Sequence, residues 1–459
     1  MNADKPGPAV IVGGGITGLS AAYELSRAGV PHILIEQQPR LGGVIETNCW
    51  EDCLLERGPD SFLTTKTDGL TLIKELGLGD QVMGSNDEGR TTYILRNGRL
   101  VLLPEGVTMF IPSRVMPVLK TPLFGWGTKL RMGLELLRKP LQLPDRSVSE
   151  FVVDHFGQET LDYLAEPLLS GVYGGDPAQL SISSVLPRFV EMERREGSLA
   201  RAVIKGRRKA AASHGGGSGP FQTTLKGGLG ALTGALIPFA SVRRGTAETM
   251  ERTESGWRVR VDGDWIDASH VILACPAWGA AAIVQNADPR LSELLGTIGY
   301  SSSATVTLIY RDTEFDGRRA GFGFLVPQVE RRRMLGCTFV GTKFAHRVPP
   351  GKLTLRCFFG GIGDAEVLSE TDESLVTMAR DELRRILKLT AAPIHSSIAR
   401  WPRSMAQYTV GHAARLKEIE TRAAGLIGLH LAGNAYTGIG IPDCIRMGRA
   451  AAKKIAESI

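Results

Sequence analysis

Residues 9–18 read A-V-I-V-G-G-G-I-T-G and decide the fold. Ala9 to Val12 form a short apolar strand, and a helical pattern runs from Ile16 to Ala28. Three glycines between them occupy the G-x-G-x-x-G positions: Gly13, Gly15 and Gly18. In this motif they allow a tight turn, a close approach of a pyrophosphate to the backbone, and close packing of helix on strand. The stretch therefore predicts a dinucleotide site at the start of a helix, where free N–H groups favour a bound anion.

Two further features extend this motif. His32 to Glu36 is a second apolar strand, and Glu36 at its end is placed to bind ribose hydroxyls. Arg40-Leu41-Gly42-Gly43 follows shortly afterwards. This second, less common glycine pair favours FAD over NAD as the dinucleotide.

A second glycine-rich stretch, A-G-N-A-Y-T-G-I-G-I-P-D-C-I, spans residues 432–445. A strand ends at Gly433, and Pro442 lies where the first turn of a helix tolerates proline. The N-terminus of that helix would stabilise negative charge on a reduced flavin ring. An ordinary glycine-rich loop before a helix is the alternative interpretation.

Composition describes a globular protein of more than one domain, with 459 residues, 43% hydrophobic residues and a net charge of +6. Basic residues crowd segments 188–209 and 331–333. Such segments indicate a solvated face, an anionic membrane surface, or steering of a polycarboxylate substrate. Nucleic acid is excluded as a partner, because no aromatic residues alternate with the basic ones and no recognition motif is present. Six scattered cysteines favour reduced thiols in the cytoplasm. With a first strand at Ala9 we expect no signal peptide, and no stretch is long enough to span a membrane.

The fold class expected is α/β (α+β), with a discontinuous Rossmann-like FAD-binding domain, an antiparallel-sheet substrate domain and a helical insertion. The predicted domains are residues 1–90, 221–295 and 402–459 for FAD, residues 91–112 and 296–401 for substrate, residues 113–210 for the helical insertion, and residues 211–220 for a linker.

Two segments of the substrate domain are informative. Tyr93–Leu95 and Leu100–Leu103 predict a hairpin with Asn97-Gly98 as its type I′ turn. Residues 300 to about 400 alternate with period two and predict an antiparallel sheet. Within it, Leu353 to Phe359 would turn Phe358 onto an otherwise polar face, where an aromatic ring could stack on a planar ligand or simply pack under the helical insertion.

No catalytic triad, paired carboxylates or metal-ligand spacing stands out, so we expect no metal site. That absence suits hydride transfer to a flavin, which depends on orientation more than on acid or base residues.

Taken together, the motifs resemble the FAD-dependent protoporphyrinogen oxidases, over essentially the whole chain. The likeness rests on G-G-G-I-T-G, R-L-G-G, E-R-G-P-D-S-F, S-G-V-Y-G-G-D-P, G-F-G-F-L-V-P, R-R-M-L-G and the run at 432–445. It implies a FAD domain of the p-hydroxybenzoate-hydroxylase and amine-oxidase type, a substrate domain, and a helical domain resting on the membrane. The protein would then be cytoplasmic, attached peripherally to the inner face of the cell membrane, with a homodimer left open.

The resemblance also implies a reaction in heme biosynthesis. Protoporphyrinogen IX would be oxidised to protoporphyrin IX by six electrons, with hydride passing from a meso carbon to N5 of non-covalently bound FAD, oxygen as acceptor and hydrogen peroxide as product. Coproporphyrinogen III is the alternative substrate within the same family.

Carried over motif by motif, the FAD contacts expected are Gly13, Gly14, Gly15, Ile16, Thr17, Gly18, Glu36, Gln37, Arg40, Gly42, Gly43, Val44, Gly58, Pro59, Asp60, Ser61, Val242, Trp401, Gly440, Ile441 and Pro442. Val242 would lie at the adenine end and Trp401 at the flavin edge. Gly440, Ile441 and Pro442 would face the ring.

For the substrate, Leu325 and Thr338 match positions that clamp the macrocycle, and Phe358 matches one that packs on a pyrrole ring. Gly171 matches a glycine whose carbonyl faces the pyrrole nitrogens, and it is the expected catalytic position. Plant and animal members place a propionate-binding arginine at the position that Thr92 occupies here. Arg90 is the proposed substitute.

Three alternatives stay open. An amine oxidase usually has a glutamate after the glycine of the 432–434 segment and a pair of aromatic residues near the flavin, and this chain has neither. A carotenoid desaturase shares only the first motif. A nucleotide-binding assembly or membrane-surface protein without turnover would be colourless when purified.

Overall fold

The structure of the protein, a computed structural model, describes residues 7–212, 220–315 and 321–459, apart from the side chains of residues 108, 172 and 208–212. The predicted linker 211–220 therefore falls largely outside the described residues. So do the side chains of Arg208 and Lys209 in the basic segment.

The described residues form runs of strands separated by one or two helices and by one long helical stretch, residues 115–212. The strands are β1 (Ala9–Val12), β2 (His32–Glu36), β3 (Thr47–Trp50), β4 (Cys53–Glu56), β5 (Phe62–Leu63), β6 (Val82–Gly84), β7 (Thr92–Arg96), β8 (Arg99–Leu102), β9 (Val107–Thr108), β10 (Ile111–Pro112), β11 (Gln222–Leu225), β12 (Val242–Arg244), β13 (Ala247–Thr253), β14 (Gly256–Val261), β15 (Asp264–Ala268), β16 (His270–Leu273), β17 (Tyr300–Arg311), β18 (Gly323–Leu325), β19 (Gly336–Phe339), β20 (Lys352–Gly360), β21 (His395–Ala406) and β22 (Leu429–Leu431). The α-helices are α1 (Ile16–Arg27), α2 (Asp68–Glu75), α3 (Val115–Lys120), α4 (Trp126–Leu134), α5 (Val148–Phe156), α6 (Gln158–Thr160), α7 (Glu166–Tyr173), α8 (Ile182–Val185), α9 (Pro187–Glu196), α10 (Leu199–Ala212), α11 (Gly230–Leu236), α12 (Ala277–Val284), α13 (Pro289–Gly296), α14 (Val340–Lys343), α15 (Asp372–Leu387), α16 (His412–Gly425) and α17 (Ile441–Ala456).

A five-stranded parallel sheet carries the glycine-rich turn. Its order is β12-β2-β1-β16-β22, so strands from the beginning, middle and end of the chain meet in one sheet. Helices α1 and α17 cross on it in close contact, since a Cβ added at Gly448 would lie 2.2 Å from the carbonyl oxygen of Thr17. The predicted Rossmann-like arrangement is confirmed, and β1 and β2 have the bounds read from the sequence.

The second large sheet has seven strands, in the order β21-β17-β20-β19-β18-β7-β8. The predicted hairpin is present as β7 and β8, with Asn97 and Gly98 at φ angles of 50° and 70°. The predicted antiparallel sheet is confirmed for every pair of neighbouring strands except one, since β18 pairs with β7 in parallel.

The period-two pattern predicted for residues 300 to about 400 is also interrupted by a long helix. Helix α15 covers one face of the seven-stranded sheet and forms a separate hydrophobic core with it. The Thr371 side chain caps its N-terminus by accepting a hydrogen bond from the N–H of Ser374, at 3.2 Å. A threonine cap before two acidic residues was a sequence signal for this helix.

The helical insertion, α3 to α10, is held together by a buried charge cluster that sequence reading missed. The two ring nitrogens of His155 each lie 3.0 Å from a carboxylate oxygen, one of Glu135 and one of Glu193. Glu193 also accepts a hydrogen bond from Arg146 at 2.6 Å. These partners come from widely separated parts of the insertion. The cluster therefore could not be predicted from the spacing of residues along the sequence. Among the described residues, no helix combines the length and apolarity needed to cross a bilayer.

The parallel sheet should make stability depend on pH. His430 on β22 is half-buried, and burial, with lesser contributions from the charges of His270 and Lys454, lowers its pKa to about 4. An unfolded histidine titrates near 6.5, so between these values only the unfolded chain binds the proton, and the free energy of unfolding falls as the pH decreases. We expect His430→Asn to lose about 2 kcal/mol less than the wild type between pH 7 and pH 4.5 in urea unfolding. Equal losses in the two proteins would contradict this origin.

Candidate functional site

The glycine-rich turn between β1 and α1 leaves open space for a ligand. Gly13 has a φ of 109°, and a Cβ added at Gly18 would lie 1.9 Å from the carbonyl oxygen of Gly13, so only glycine fits there. A Cβ at Gly15 would meet nothing nearer than the Cα of Gly43, at 3.9 Å. The space above Gly15 is therefore a cradle that protein atoms do not fill, at the N-terminus of α1, as a pyrophosphate requires.

Glu36 and the Arg40–Gly43 segment close around this turn. Glu36 accepts hydrogen bonds from the N–H of Gly14 at 2.6 Å and from that of Gln38 at 2.7 Å. Gly42 donates its N–H to the carbonyl oxygen of Gly14, at 2.8 Å. Arg40 donates to the carbonyl oxygens of Leu41 and Ile45 at 2.9 and 2.7 Å, so its guanidinium holds the shape of its own loop.

The C-terminal motif reaches the same place. Helix α17 begins at Ile441, and Asp443 in its first turn accepts hydrogen bonds from the N–H of Gly440 at 3.3 Å and from the ammonium of Lys66 at 2.5 Å. The Cys444 thiol in the same turn interacts with the side chain of Thr17 in the first turn of α1. The N-termini of α1 and α17 thus lie side by side.

The remaining predicted cofactor residues occupy the edges of this region. Val242 lies on the edge strand β12, level with Leu34 of β2, and is 37% exposed. Gln37 is exposed just after β2, and Val44 is 40% exposed. A Cβ at Gly58 would lie 1.8 Å from the carbonyl oxygen of Val44 and 3.6 Å from the ring of Trp401, so these three residues are neighbours.

Asp60 belongs to a buried charge network behind the Gly58–Ser61 loop. Its carboxylate lies 2.9 Å from the ammonium of Lys343, and its carbonyl oxygen accepts a hydrogen bond from Arg347 at 2.8 Å. Burial opposes the ionisation of Asp60, but the charges of Lys343 and Arg347 outweigh it and hold the pKa of the carboxyl well below its usual range. The Asp60 side chain therefore anchors the loop to α14, and the Asp60 carbonyl oxygen anchors it to the turn that follows α14.

The predicted substrate residues meet on one face of the seven-stranded sheet. In the strand registers, Thr92 is level with Gly323, Gly323 with Thr338, Leu325 with Gly336, and Gly336 with Phe358. Paired residues and every second residue share a face, so Thr92, Leu325, Thr338 and Phe358 all project to the same side. All four are half-buried.

This face is opposite the one covered by α15, and α7 of the insertion borders it. A Cβ at Gly171 would lie 3.7 Å from the Leu325 side chain, so the two predicted positions are in contact. Arg90, two residues before Thr92, is an exposed residue whose guanidinium stacks on the ring of Phe221, 3.6 Å from the centroid. The polar residues of β20 are not solvated, since Thr354 and Arg356 are 1% and 5% exposed.

Residues that sequence reading missed link the two halves of the site. They are Thr305, Lys343, Arg347 and Arg356; Lys66, also missed, joins two segments of the nucleotide half. Only Arg356 carried a signal, because it shares a face with Phe358; the others bind partners far away in sequence.

The chain is similar to known proteins over nearly its whole length. The model of the family described as flavin-containing amine oxidoreductase matches residues 16–456. Coproporphyrinogen III oxidase of Bacillus subtilis (strain 168) is 33% identical over 457 residues, which cover 96% of each chain. Protoporphyrinogen oxidase of Bos taurus is 30% identical, covering 97% of this chain and 98% of that protein. A crystal structure from Exiguobacterium sp. 255-15, provisionally described as a protoporphyrinogen oxidase, has a TM-score of 0.86 at 30% identity and covers 99% of this chain and 100% of that one.

Proposed function

Because the chain belongs to the flavin-containing amine oxidoreductases and, within them, to the porphyrinogen oxidases, we propose that it oxidises coproporphyrinogen III to coproporphyrin III. Oxidation of a porphyrinogen in heme biosynthesis and FAD as the cofactor follow from this membership. The choice of substrate, oxygen as electron acceptor and non-covalent attachment of FAD are parts of the proposal.

One observation carries the proposal. Thr92, Leu325, Thr338 and Phe358 project to one half-buried face of the seven-stranded sheet, with Gly171 in contact with Leu325. On this face the aromatic ring of Phe358 and the Leu325 side chain lie beside the two threonines, and an aromatic ring offers a stacking surface for a planar macrocycle. The same face adjoins the loop that contains Gly58, which lies beside the open cradle at Gly15.

The residues present fit FAD. Gly13 to Gly18 would receive the pyrophosphate, Glu36 the ribose, and Gly58 to Ser61 with Trp401 and Gly440 to Pro442 the flavin portion. When bound, FAD supplies a two-electron acceptor for hydride, whose electrons then pass to oxygen and give hydrogen peroxide. The chain contributes binding, orientation and exclusion of water, and the N-terminus of α17 favours negative charge near Gly440.

The preference for coproporphyrinogen III rests on the relatives. The Bacillus protein carries that name, as do other bacterial relatives of 30 to 32% identity. Protoporphyrinogen IX, the substrate predicted from sequence, is the second candidate, because the bovine relative of 30% identity carries its name. Thr92 stands where the resemblance places a propionate-binding arginine in plant and animal members, and because both substrates carry propionates, this position does not decide between them.

A turnover comparison tests the proposal. The purified holoenzyme is supplied aerobically with coproporphyrinogen III, protoporphyrinogen IX or a panel of amines, while porphyrin fluorescence and hydrogen peroxide are recorded. We expect three peroxide molecules per porphyrin, as six electrons require, and the higher kcat/KM for coproporphyrinogen III. A higher kcat/KM for protoporphyrinogen IX would overturn the substrate choice.

Phe358 gives a prediction about binding. Phe358→Ala removes the half-buried ring proposed to pack on a pyrrole, so KM should rise about tenfold, equivalent to about 1.4 kcal/mol. Phe358→Leu keeps an apolar side chain and should recover part of the loss. An unchanged KM in both variants, measured by porphyrin fluorescence, would exclude Phe358 from the substrate site.

We also propose that the helical insertion docks on an anionic membrane. An apolar stripe, defined as Trp126, Leu130, Leu134 and Leu137, follows α4 and the next turn, with exposures of 75, 67, 56 and 75%. Its spacing of about four residues sets it on one helix face, and the Lys129 ammonium lies 4.8 Å from the Trp126 ring. Apolar residues beside basic ones suit the interface of an anionic bilayer.

Vesicle binding tests the stripe. The double variant Trp126→Ser and Leu137→Ser should bind phosphatidylglycerol vesicles at least about tenfold more weakly than the wild type, because two large apolar side chains no longer enter the interface. Ile427→Ser is the matched control, since Ile427 is also 75% exposed but lies between α16 and β22. Equal weakening by the control would contradict a specific docking face.

That the protein forms a homodimer stays a prediction.

A further inference from the structure

We propose that Arg356 is a positioning residue that fixes the distance between the cofactor loop and the substrate face, an inference that rests on the proposed function. Its guanidinium touches both parts. It donates hydrogen bonds to the carbonyl oxygens of Arg57, at 3.2 Å, and of Gly58. Its central carbon also lies 5.0 Å from the centroid of the Phe358 ring.

Three side chains donate hydrogen bonds to the carbonyl oxygen of Arg57. Besides Arg356, the indole N–H of Trp401 donates to the Arg57 carbonyl oxygen at 2.9 Å, and the hydroxyl of Thr305 donates at 3.0 Å. We call these three donors the carbonyl clamp. They come from the neighbouring strands β20, β21 and β17, and the registers put all three on the face that carries Phe358.

The clamp joins two parts of the chain that belong to different sheets. Arg57 leads directly into Gly58–Ser61, the loop proposed to contact FAD, whereas the three donors belong to the substrate sheet. A backbone carbonyl has two lone pairs, so three donors on one oxygen leave it little freedom to move. The position of this loop relative to the sheet is therefore set largely by the clamp.

Arg356 suits this role because of its shape. A guanidinium is planar and offers five N–H groups, so it can bind two successive carbonyl oxygens and still stack on an aromatic ring. Arg356 is 5% exposed, so water offers no substitute for these contacts. A lysine would retain the charge but could not make the same set of contacts.

The expected consequence is a loss of rate more than of binding. Hydride transfer needs reacting atoms at contact distance, and a displacement of about 1 Å can cost about 100-fold in rate. We expect Arg356→Met to lower kcat about 100-fold with KM changed less than threefold, and Arg356→Lys to lie between it and the wild type.

Arg400 supplies a matched control. It lies on β21 of the same sheet, level with Ala304 and hence on the opposite face. It also binds carbonyl oxygens, those of Leu368 at 3.2 Å and Glu370 at 2.5 Å, but none in the cofactor loop. Arg400→Met should therefore leave kcat and FAD affinity within about twofold of the wild type, whatever it costs in stability.

A second readout does not depend on turnover. Deflavinated protein is titrated with FAD, and the quenching of flavin fluorescence gives the dissociation constant. We expect Arg356→Met to raise this constant about tenfold, or about 1.4 kcal/mol, because the loop is no longer held in its binding position. If Arg356→Met does not fold, Thr305→Val removes another donor of the clamp with little change of shape and should act in the same direction.

The outcomes are distinguishable. A rise in KM with unchanged kcat would make Arg356 a substrate-binding residue and overturn the proposal. Equal effects of Arg356→Met and Arg400→Met, or no effect of the first, would also overturn it. If the wild type oxidises no porphyrinogen, the proposed function fails, and the FAD titration alone then decides whether Arg356 positions the loop.

Discussion

Gly15→Val should give a folded protein that contains almost no flavin. The backbone of Gly15, at φ −74° and ψ −178°, is open to any residue, and an added Cβ would meet no protein atom nearer than 3.9 Å. The new side chain would instead fill the space proposed for the pyrophosphate. We expect FAD affinity to fall at least about 100-fold, or about 2.8 kcal/mol, with the far-ultraviolet circular dichroism unchanged.

The control for this variant is Gly234→Val on α11. Gly234 also has open space around an added Cβ, and it is an exposed residue of α11. It should retain a full complement of FAD. If Gly15→Val purified as yellow as the wild type, the pyrophosphate could not lie above Gly15.

Arg347→Met should destabilise the fold more than any of the other single substitutions proposed above. Arg347 is 1% exposed and donates hydrogen bonds to Glu56 at 3.2 Å, to the Asp60 carbonyl oxygen at 2.8 Å, and to the Thr224 hydroxyl at 2.6 Å. Burial already raises the pKa of Glu56, against the opposing charge of Arg347. Removing the guanidinium leaves a buried carboxylate without its cation, which typically costs about 3–5 kcal/mol.

Urea unfolding followed by circular dichroism measures this loss. The double variant Arg347→Met and Glu56→Gln should recover part of it, because the stranded charge is also removed. Arg290→Met is the surface control: Arg290 pairs with Glu293 and Glu418 at exposed positions and should change the free energy of unfolding by less than about 1 kcal/mol. A loss at Arg347 no larger than that at Arg290 would contradict a structural role for the buried pair.

The nucleotide half of the fold could be predicted because its signals are local. The strand bounds Ala9–Val12 and His32–Glu36 follow from apolar runs bounded by glycine and by charged residues. The Asn97-Gly98 turn could likewise be predicted, because a type I′ turn needs positive φ angles at both central residues and this dipeptide tolerates them. Each of these features is decided by residues within a few positions of one another.

The substrate half was harder to predict, because its strands pair with partners that are far away in sequence. Strand β7 pairs with β18, more than two hundred residues away, and no residue near either strand indicates that the pair is parallel. Helix α15 was missed because alternation was extended through it, although Thr371 and the apolar series Leu375, Ala379 and Leu383 favoured a helix.

In the candidate site, too, residues with local sequence signals could be predicted and those with remote partners could not. Phe358 could be singled out because alternation along one strand turned an aromatic ring onto a polar face. The Asp60–Lys343 and Glu56–Arg347 pairs could not, since their partners are 283 and 291 residues apart. The sequence also could not show whether the polar face of β20 is solvated or buried, because a loop remote in sequence, at Arg57 and Gly58, covers it.

Anaerobic mixing of the purified protein with substrate tests the central claim most directly. Oxidised flavin absorbs visible light and loses that absorbance on accepting two electrons, so bleaching reports hydride transfer without any need for oxygen. We predict rapid bleaching by coproporphyrinogen III, measurable bleaching by protoporphyrinogen IX, and none by a panel of amines. Bleaching by amines alone would contradict porphyrinogen oxidation as the reaction of this protein.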